Sequence, residues 1–300
     1  MHVVVVDQSR VVQRSIADLL MAAGHTVERF TDSREALTHV ASNEAVTCVL
    51  TSLETHPLDG LELCWQLRLL ADARRPLSIL VMSSAHGSRN LGEVLDSGAD
   101  DFMTKPPSRD ELHARLRAAE RLLALQRDLI RQADTDHLTQ LLNRGAFLRK
   151  AAEAAERTGP SGPLTAMLID IDHFKTINDR HGHAVGDAAI RAVADVLGAT
   201  EAVTCRWGGE EFALLLEGHE TGSAVVVAQR VRARCSALRL TGAGGEQVRL
   251  TVSVGLSAWS GDDEIDGLLR RADVALYAAK AGGRDRVAAM MGDALVECIG

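Results

Sequence analysis

Along the first 120 residues, short apolar runs alternate with stretches whose apolar positions recur at helical spacing. Residues 3–6, 26–30, 47–52, 78–83 and 102–104 read as strands. Between the first two, Val12, Ile16, Leu19, Leu20 and Ala23 mark one face of a helix, with Ser9 placed to cap it and Gly24 to stop it. Five β units alternating with helices predict a parallel, doubly wound (βα)5 sheet, whose functional crevice lies beyond the C-terminal ends of its strands. Asp7, Ser52 and Ser84 then face one crevice.

From 108 to 133 the chain has neither glycine nor proline, and two apolar stripes overlap. Leu112, Leu116, Ala119, Leu123, Gln126, Ile130 and Ala133 form one; Leu122, Leu125, Leu129 and Gln132 form the other. The part before Arg121 is expected to pack on its own domain, and the rest to pair with a second copy as a signalling helix. The second half has no regular alternation. Residues 165–171, 203–207, 212–216 and 248–258 read as strands and 265–279 as a helix, a mixture that predicts an α+β domain with an antiparallel sheet.

The chain has 300 residues, room for two domains at about 150 residues each. The pattern divides it into 1–120, a helical linker 121–134, and 135–300. With 46% hydrophobic and 25% charged residues, neither disorder nor a fibrous repeat fits. Net charge is −8 and splits evenly, with 15 basic against 19 acidic residues in 1–134 and 18 against 22 beyond. Neither half has the basic bias of a duplex-binding module, so no DNA partner is expected. The five cysteines are scattered without a CxxC pair and read as reduced thiols. No apolar run reaches the about 18 residues of a membrane helix, and Asp7 interrupts the first one. The expectation is a cytoplasmic chain without a membrane partner.

The second half holds the chemistry. Arg206-Trp207-Gly208-Gly209-Glu210-Glu211-Phe212 puts two glycines at a hairpin tip with two carboxylates beside them, a place where backbone approaches a ligand and a hard cation can be held. Many solvated hairpins look the same, so this segment alone decides nothing. A strand ending in Asp170 leads into a helix start, where free N–H groups favour phosphate, and Lys175 adds a cation in the first turn. Asn178 offers an amide to a base edge and Asp187 a carboxylate to guanine N–H groups. Lys280 and Arg284 flank Gly282-Gly283 and supply cations for a triphosphate. Lys175 and Arg284 would also serve as plain surface charges, and Asp187 as a helix cap. His173, His181 and His183 lack the further ligands that zinc needs.

Residues 134–288 together resemble the GGDEF family, the diguanylate cyclases. The resemblance rests on Asp136-His137-Leu138-Thr139 through Asn143-Arg144, on Asp170 through Asp179, on Gly182-His183…Gly186-Asp187, on the signature in its Gly-Gly-Glu-Glu-Phe form, and on Ala272-Asp273…Lys280 with Gly283-Arg284. It implies a nucleotidyl-cyclase-like α+β fold that condenses two GTP into cyclic di-GMP across a homodimer. Asp170, Glu210 and the carbonyl of Ile171 would hold two Mg²⁺, or Mn²⁺ in their place. Lys175, Lys280, Arg284 and N–H groups near Phe174 would grip the triphosphate, with Gly208 and Gly209 close to the substrate. Asn178 and Asp187 would read guanine. Glu210, Lys175 and Glu211 would carry the catalysis, Glu210 as a proton acceptor and Glu211 in support. Many members have an inhibitory RxxD whose Arg lies nine residues before the signature; Ala199 and Ala202 stand there, which implies no product feedback at that site.

The first 120 residues resemble the flavodoxin-like receiver domain of response regulators, on residues 3–7, Leu58-Asp59-Gly60, Val81 through Ala85, and Gly98-Ala99-Asp100-Asp101-Phe102…Lys105-Pro106. Asp7, Ser84 and Lys105 match an acid, the hydroxyl and the lysine of an active receiver. The second acid is Gln8, and the phosphoacceptor, seven residues before Asp59, is Ser52. Serine cannot form an acyl phosphate, so a receiver not phosphorylated by the aspartyl route is expected, serving as a dimerisation platform or as a dock for a signalling protein. Glu54 lies two residues on and cannot take over by a simple shift. The rival to a cyclase is a regulator that binds GTP or cyclic di-GMP and docks partners without turnover; the full set of metal and phosphate groups argues against it.

Overall fold

The computed structural model describes residues 1–71, 74–84, 91–160, 162–242, 244–260, 264–291 and 294–298. Ala85 of the receiver motif and the last two residues of the tail lie outside them. The chain forms two compact units, Met1–Arg131 and Gln132–Gly300.

In the first unit the elements are β1 (His2–Val6), α1 (Arg10–Ala22), β2 (Thr26–Phe30), α2 (Ser33–Ser42), β3 (Cys48–Ser52), α3 (Gly60–Leu70), β4 (Ser78–Ser84), α4 (Leu91–Asp96), β5 (Asp101–Lys105) and α5 (Arg109–Asp134). The sheet order is β2-β1-β3-β4-β5 with every pairing parallel, as the alternation predicts. Strand periodicity sorts the valines of β1: Val3 and Val5 pack with Ile16, Leu20, Leu112 and Leu116, whereas Val4 and Val6 pack with Val40, Leu63 and Leu67 on the opposite face. The Ser9 hydroxyl accepts from Val12 N–H at 3.4 Å, and Gly24 turns the chain out of α1 at φ 85°. Residues 121–134 continue α5 as one helix, which starts at Arg109 under the Ser108 hydroxyl. Its first stripe is buried as far as Leu123, while Leu122, Leu125 and Leu129 of the second are half or more exposed.

The second unit contains α6 (Arg144–Thr158), β6 (Leu164–Ile171), α7 (Phe174–His181), α8 (His183–Gly198), β7 (Val203–Gly208), β8 (Glu211–Glu217), α9 (Thr221–Ser236), β9 (Leu240–Thr241), β10 (Gln247–Val248), β11 (Val252–Ala258), α10 (Ile265–Ala281), β12 (Val287–Met291) and β13 (Ala294–Cys298). The main sheet runs β13-β12-β11-β6-β8-β7. It is mixed where an antiparallel sheet is expected: β11 and β12 pair in parallel, because α10 crosses over between them. The tail beyond Val287, which carries no readable motif, supplies β12 and β13. The stretch 248–258 is not one strand either. Val248 pairs with β9, and the main-sheet strand begins only at Val252, after Thr251 has turned its hydroxyl to Asp172. One face of the sheet packs on α8 and α9 through Ile169, Phe212, Val193 and Val231, and the other on α6 and α10 through Leu168, Leu215, Phe147 and Leu276.

Candidate active site

β6 carries Asp170 to the edge of the core, where it pairs in register with Glu211 of β8. Ile171 N–H donates to the Glu210 carbonyl at 3.4 Å, so the β7–β8 hairpin tip is tied to the end of β6. Gly209 turns at φ 44°, and a Cβ on Gly208 or Gly209 would meet nothing within 4 Å, leaving the tip open for a ligand. From the last turn of α10, Lys280 sets its Nζ 2.7 Å from Asp170 Oδ2.

The charges here are unbalanced. Burial pushes the Asp170 carboxyl above its ordinary value; Lys280 opposes the rise, and the charges of Glu210 and Asp172 add to it. Burial likewise raises Glu211, reinforced by Asp170 and Glu210 against Lys280. Three carboxylates thus press their charge on one another here, with one ammonium, Lys280, paired directly to Asp170. Such an oxygen-only, over-negative donor set fits a hard divalent cation, which would take up the charge that Lys280 alone leaves uncompensated.

Two devices set Lys280 in place. At Gly255 in β11, a Cβ would lie 2.0 Å from Leu276 N and 2.3 Å from the Ala272 carbonyl, so only glycine lets α10 sit this close to the sheet. Beyond the helix, Arg284 is held at φ 63° with its N–H on the Ala279 carbonyl at 3.1 Å and its side chain exposed. The next residue is anchored by Asp172, whose buried carboxylate accepts Thr251 Oγ1 and Ser253 Oγ at 2.7 Å each and Asp285 N–H at 3.0 Å. Arg232 grips the Asp285 carboxylate at 3.0 Å.

The remaining candidate residues assemble around α7. His173 enters it in the left-handed region at φ 55° without a side-chain cap, leaving the first N–H groups, near Phe174 and Lys175, free of helical acceptors. Lys175 is exposed and makes no ion pair among the described residues. Asn178 Oδ1 is buried without a donor, pressed against Gly186, where a Cβ would stand 1.9 Å from it and 3.2 Å from Phe174 Cζ. Asp187, half-buried, follows on α8. Phe174, Asn178 and Gly186 therefore meet at one corner, with Asp187 adjacent; no direct contact joins Lys175 or Arg284 to the carboxylates among the described residues. His181 is engaged by Glu246 at 2.6 Å. Ala202 packs on the core and Ala199 ends α8.

Asp136 and Arg206 fall within the motifs read in the sequence, yet neither is given a role there. Arg206 Nη1 stands 3.2 Å from both oxygens of Asp136, and its Nε donates to the Gly209 carbonyl at 2.9 Å, so this pair braces the hairpin tip. Asp136 also accepts from Leu138 N–H, Thr139 N–H and Thr139 Oγ1. Burial pulls its carboxyl upward, but Thr139 and then Arg206 outweigh this and hold it below the ordinary range. A hydroxyl three residues after an Asp is a readable cap signal; the Arg206 partnership, across the fold, is not.

In the first unit Asp7, Ser52 and Lys105 come together at the C-terminal ends of β1, β3 and β5, and Ser84 joins them through a residue outside the expected set. Lys105 Nζ stands 2.7 Å from Asp7 Oδ2 and 3.1 Å from Glu54 Oε2, and it contacts Ser52 Oγ. Ser52 Oγ donates to Glu54 Oε2 at 2.8 Å, and Ser84 Oγ donates to Glu54 Oε1 at 3.2 Å. Desolvation would raise the Glu54 carboxyl, but Ser52 and Lys105 win and take it down to about 2. Gln8 is exposed.

Residues 133–286 match the family described as diguanylate cyclase, GGDEF domain, and residues 3–117 match the response regulator receiver domain. The response regulator PleD of Caulobacter vibrioides is 32% identical over 302 residues, covering 95% of this chain and 64% of PleD. The diguanylate cyclase DosC of Escherichia coli K12 is 39% identical over 160 residues, covering 51% of this chain and 34% of DosC. The chain thus spans less than two thirds of the length of either. The solved coiled coil and GGDEF domain of DgcB from Caulobacter crescentus, in complex with c-di-GMP, superposes with a TM-score of 0.55 at 34% identity, covering 60% of this chain and 99% of that one. The diguanylate cyclase SiaD of Pseudomonas aeruginosa, in complex with its activator SiaC, gives 0.52 at 32% identity, covering 60% of this chain and 72% of SiaD.

Proposed function

The chain belongs to the GGDEF diguanylate cyclase family, with a receiver domain ahead of the cyclase domain, and from that premise we propose that it condenses two GTP into cyclic di-GMP. Each domain of a homodimer holds one GTP. The 3′-OH of each nucleotide attacks the α-phosphate of the other, two P–O bonds form, two break, and two pyrophosphates leave. The observation that carries this reading is the buried Asp170–Lys280 pair beside the hairpin tip that bears Glu210 and Glu211.

Family members use divalent cations; here Asp170, Glu210 and the Ile171 carbonyl would hold Mg²⁺, two ions per site, with Mn²⁺ as a substitute. Bound metal would neutralise charge on the attacking and leaving oxygens and lower the hydroxyl pKa. Lys280 would exchange its carboxylate partner for the triphosphate, joined there by Lys175, Arg284 and the N–H groups at the start of α7. Asn178 Oδ1, buried and without a donor, would accept from the guanine edge beside Asp187. Glu210 would take the proton from the 3′-OH, and Glu211 would orient it. The open Gly208-Gly209 tip admits the nucleotide. With alanines at 199 and 202, product feedback at the usual site is absent.

One protomer cannot complete the reaction, so the dimer is the control point. The exposed Leu122, Leu125 and Leu129 stripe on α5 and the receiver unit would supply it, the latter also offering a dock to a signalling protein. No described helix is long and apolar enough to cross a membrane. The test is the full chain with GTP and Mg²⁺, followed for cyclic di-GMP and pyrophosphate, with Glu210→Gln as control and with or without acetyl phosphate. Turnover abolished by the control and unmoved by acetyl phosphate is the expected result. GTP binding without turnover in the dimeric wild type would sink the cyclase reading.

A further inference from the structure

Ser52 Oγ at the end of β3 contacts Lys105 Nζ from β5 and shares the Glu54 carboxylate with Ser84 Oγ from β4, so a phosphoryl group attached at position 52 would compete for the Ser84 hydroxyl and the Lys105 ammonium. In this chain those two groups already have an anion. Glu54 Oε1 accepts from Ser84 Oγ at 3.2 Å and Oε2 lies 3.1 Å from Lys105 Nζ. The same Oε2 lies 2.8 Å from Ser52 Oγ, within a hydrogen bond of the atom to which a substituent at position 52 would be attached. We propose that Glu54 is the receiver unit's permanent anion: its carboxylate takes the place of a phosphoryl group between Ser84 and Lys105 and keeps this site loaded without phosphorylation.

The loss of the phosphoacceptor and the presence of Glu54 are two halves of one replacement. An aspartate at 52 would set a second negative charge against Glu54, whereas the Ser52 hydroxyl donates to Oε2 and accepts Glu54 N–H at 3.2 Å. The backbone leaves Glu54 little choice of position. Its neighbours Leu53 and Thr55 are buried, at 7% and 1% exposure, and Leu53 N–H is tied to the Met82 carbonyl at 2.9 Å. Gly60 closes the loop: a Cβ there would lie 2.4 Å from the Ser52 carbonyl and 2.5 Å from Leu53 Cα. Lys105 bridges Glu54 to Asp7, so the carboxylate is bonded into β1, β3, β4 and β5 at once.

The test is hydrogen–deuterium exchange on the full chain, comparing wild type with Glu54→Gln, Glu54→Ala, Ser84→Ala and the Glu54→Gln/Ser84→Ala double variant, each first shown to unfold cooperatively on heating. Loss of the anion should speed amide exchange at the ends of β4 and β5 at least threefold. Ser84→Ala should reproduce the change at β4, and the double variant should add nothing further there. Acetyl phosphate with Mg²⁺ should leave the wild-type pattern unmoved. Exchange in both Glu54 variants equal to wild type, full additivity in the double variant, or protection of the β4 and β5 ends by acetyl phosphate in the wild type would each overturn the proposal.

Discussion

The ammonium of Lys280 stands 2.7 Å from a carboxylate oxygen of Asp170, joining the last turn of α10 to the end of β6. Asp170 is mostly buried, with 12% of its side chain exposed, so this cation is its main compensation within the chain. Lys280→Met removes this compensation together with the cation proposed above to hold the triphosphate. A hydrogen bond between charged groups contributes about 1.5–3 kcal/mol, so kcat/KM for GTP should fall about ten- to hundredfold. Steady-state kinetics at saturating Mg²⁺ reads the loss, and an unchanged KM with unchanged kcat would remove Lys280 from the site.

Gly255 is the reason that helix can sit where it does. Gly255→Ala puts a methyl into the Leu276 and Ala272 backbone and forces α10 away from β11. Overpacking of this kind costs about 1–3 kcal/mol or more, since no flexible side chain is there to yield. Thermal unfolding should show the midpoint drop. Gly208→Ala is the contrast: its Cβ meets open space, stability should stay within about 0.5 kcal/mol of wild type, and any loss should appear in turnover alone.

Gly186→Ala acts on recognition. The new methyl would stand 1.9 Å from Asn178 Oδ1 and must displace that amide, while the carboxylate cluster is left alone. KM for GTP should rise about tenfold, the effect of losing one buried hydrogen bond of about 1.4 kcal/mol, with kcat changed far less. A comparison with inosine triphosphate, which lacks the exocyclic amine, reads how much of that loss runs through the amine.

The Asp136–Arg206 brace should be visible as a pH effect. The Asp136 carboxyl is held below its unfolded value, so its contribution is present in full above the unfolded pKa and is lost as pH falls through the folded one. Asp136→Asn should cost about 1–2 kcal/mol in denaturant unfolding at pH 7. The gap between variant and wild type should close as pH drops below the ordinary aspartate range near about 3.9. A gap constant with pH would mean that the brace acts by shape alone.

The parallel sheet of the first unit was legible because its information is local. A strand such as β1, apolar without interruption from Val3 to Val6, belongs inside a sheet covered on both faces, and there it lies. The hairpin tip was legible for the same reason, two glycines leaving few alternatives. What stayed hidden depends on distance along the chain. Asp170 and Asp172 look alike in sequence, yet one joins the carboxylate cluster and the other ties Thr251, Ser253 and Asp285 together. The parallel pairing of β12 with β11 needs the crossover of α10, which no residue of the tail announces. Glu54 was hidden by an offset: two residues past the expected position it cannot replace an aspartate on the strand, but the turn brings its longer side chain back over Ser52.

A phosphorylated aspartate is a message with an expiry date, because an acyl phosphate hydrolyses in water and the domain resets. The carboxylate that Ser52, Ser84 and Lys105 surround has no such clock. It is installed once, at synthesis, and lasts as long as the polypeptide does. On that proposal, timing comes from elsewhere, through how much of the chain is made and destroyed or through a partner that comes and goes. With Glu54 as its permanent anion, the receiver unit would store a state instead of a moment.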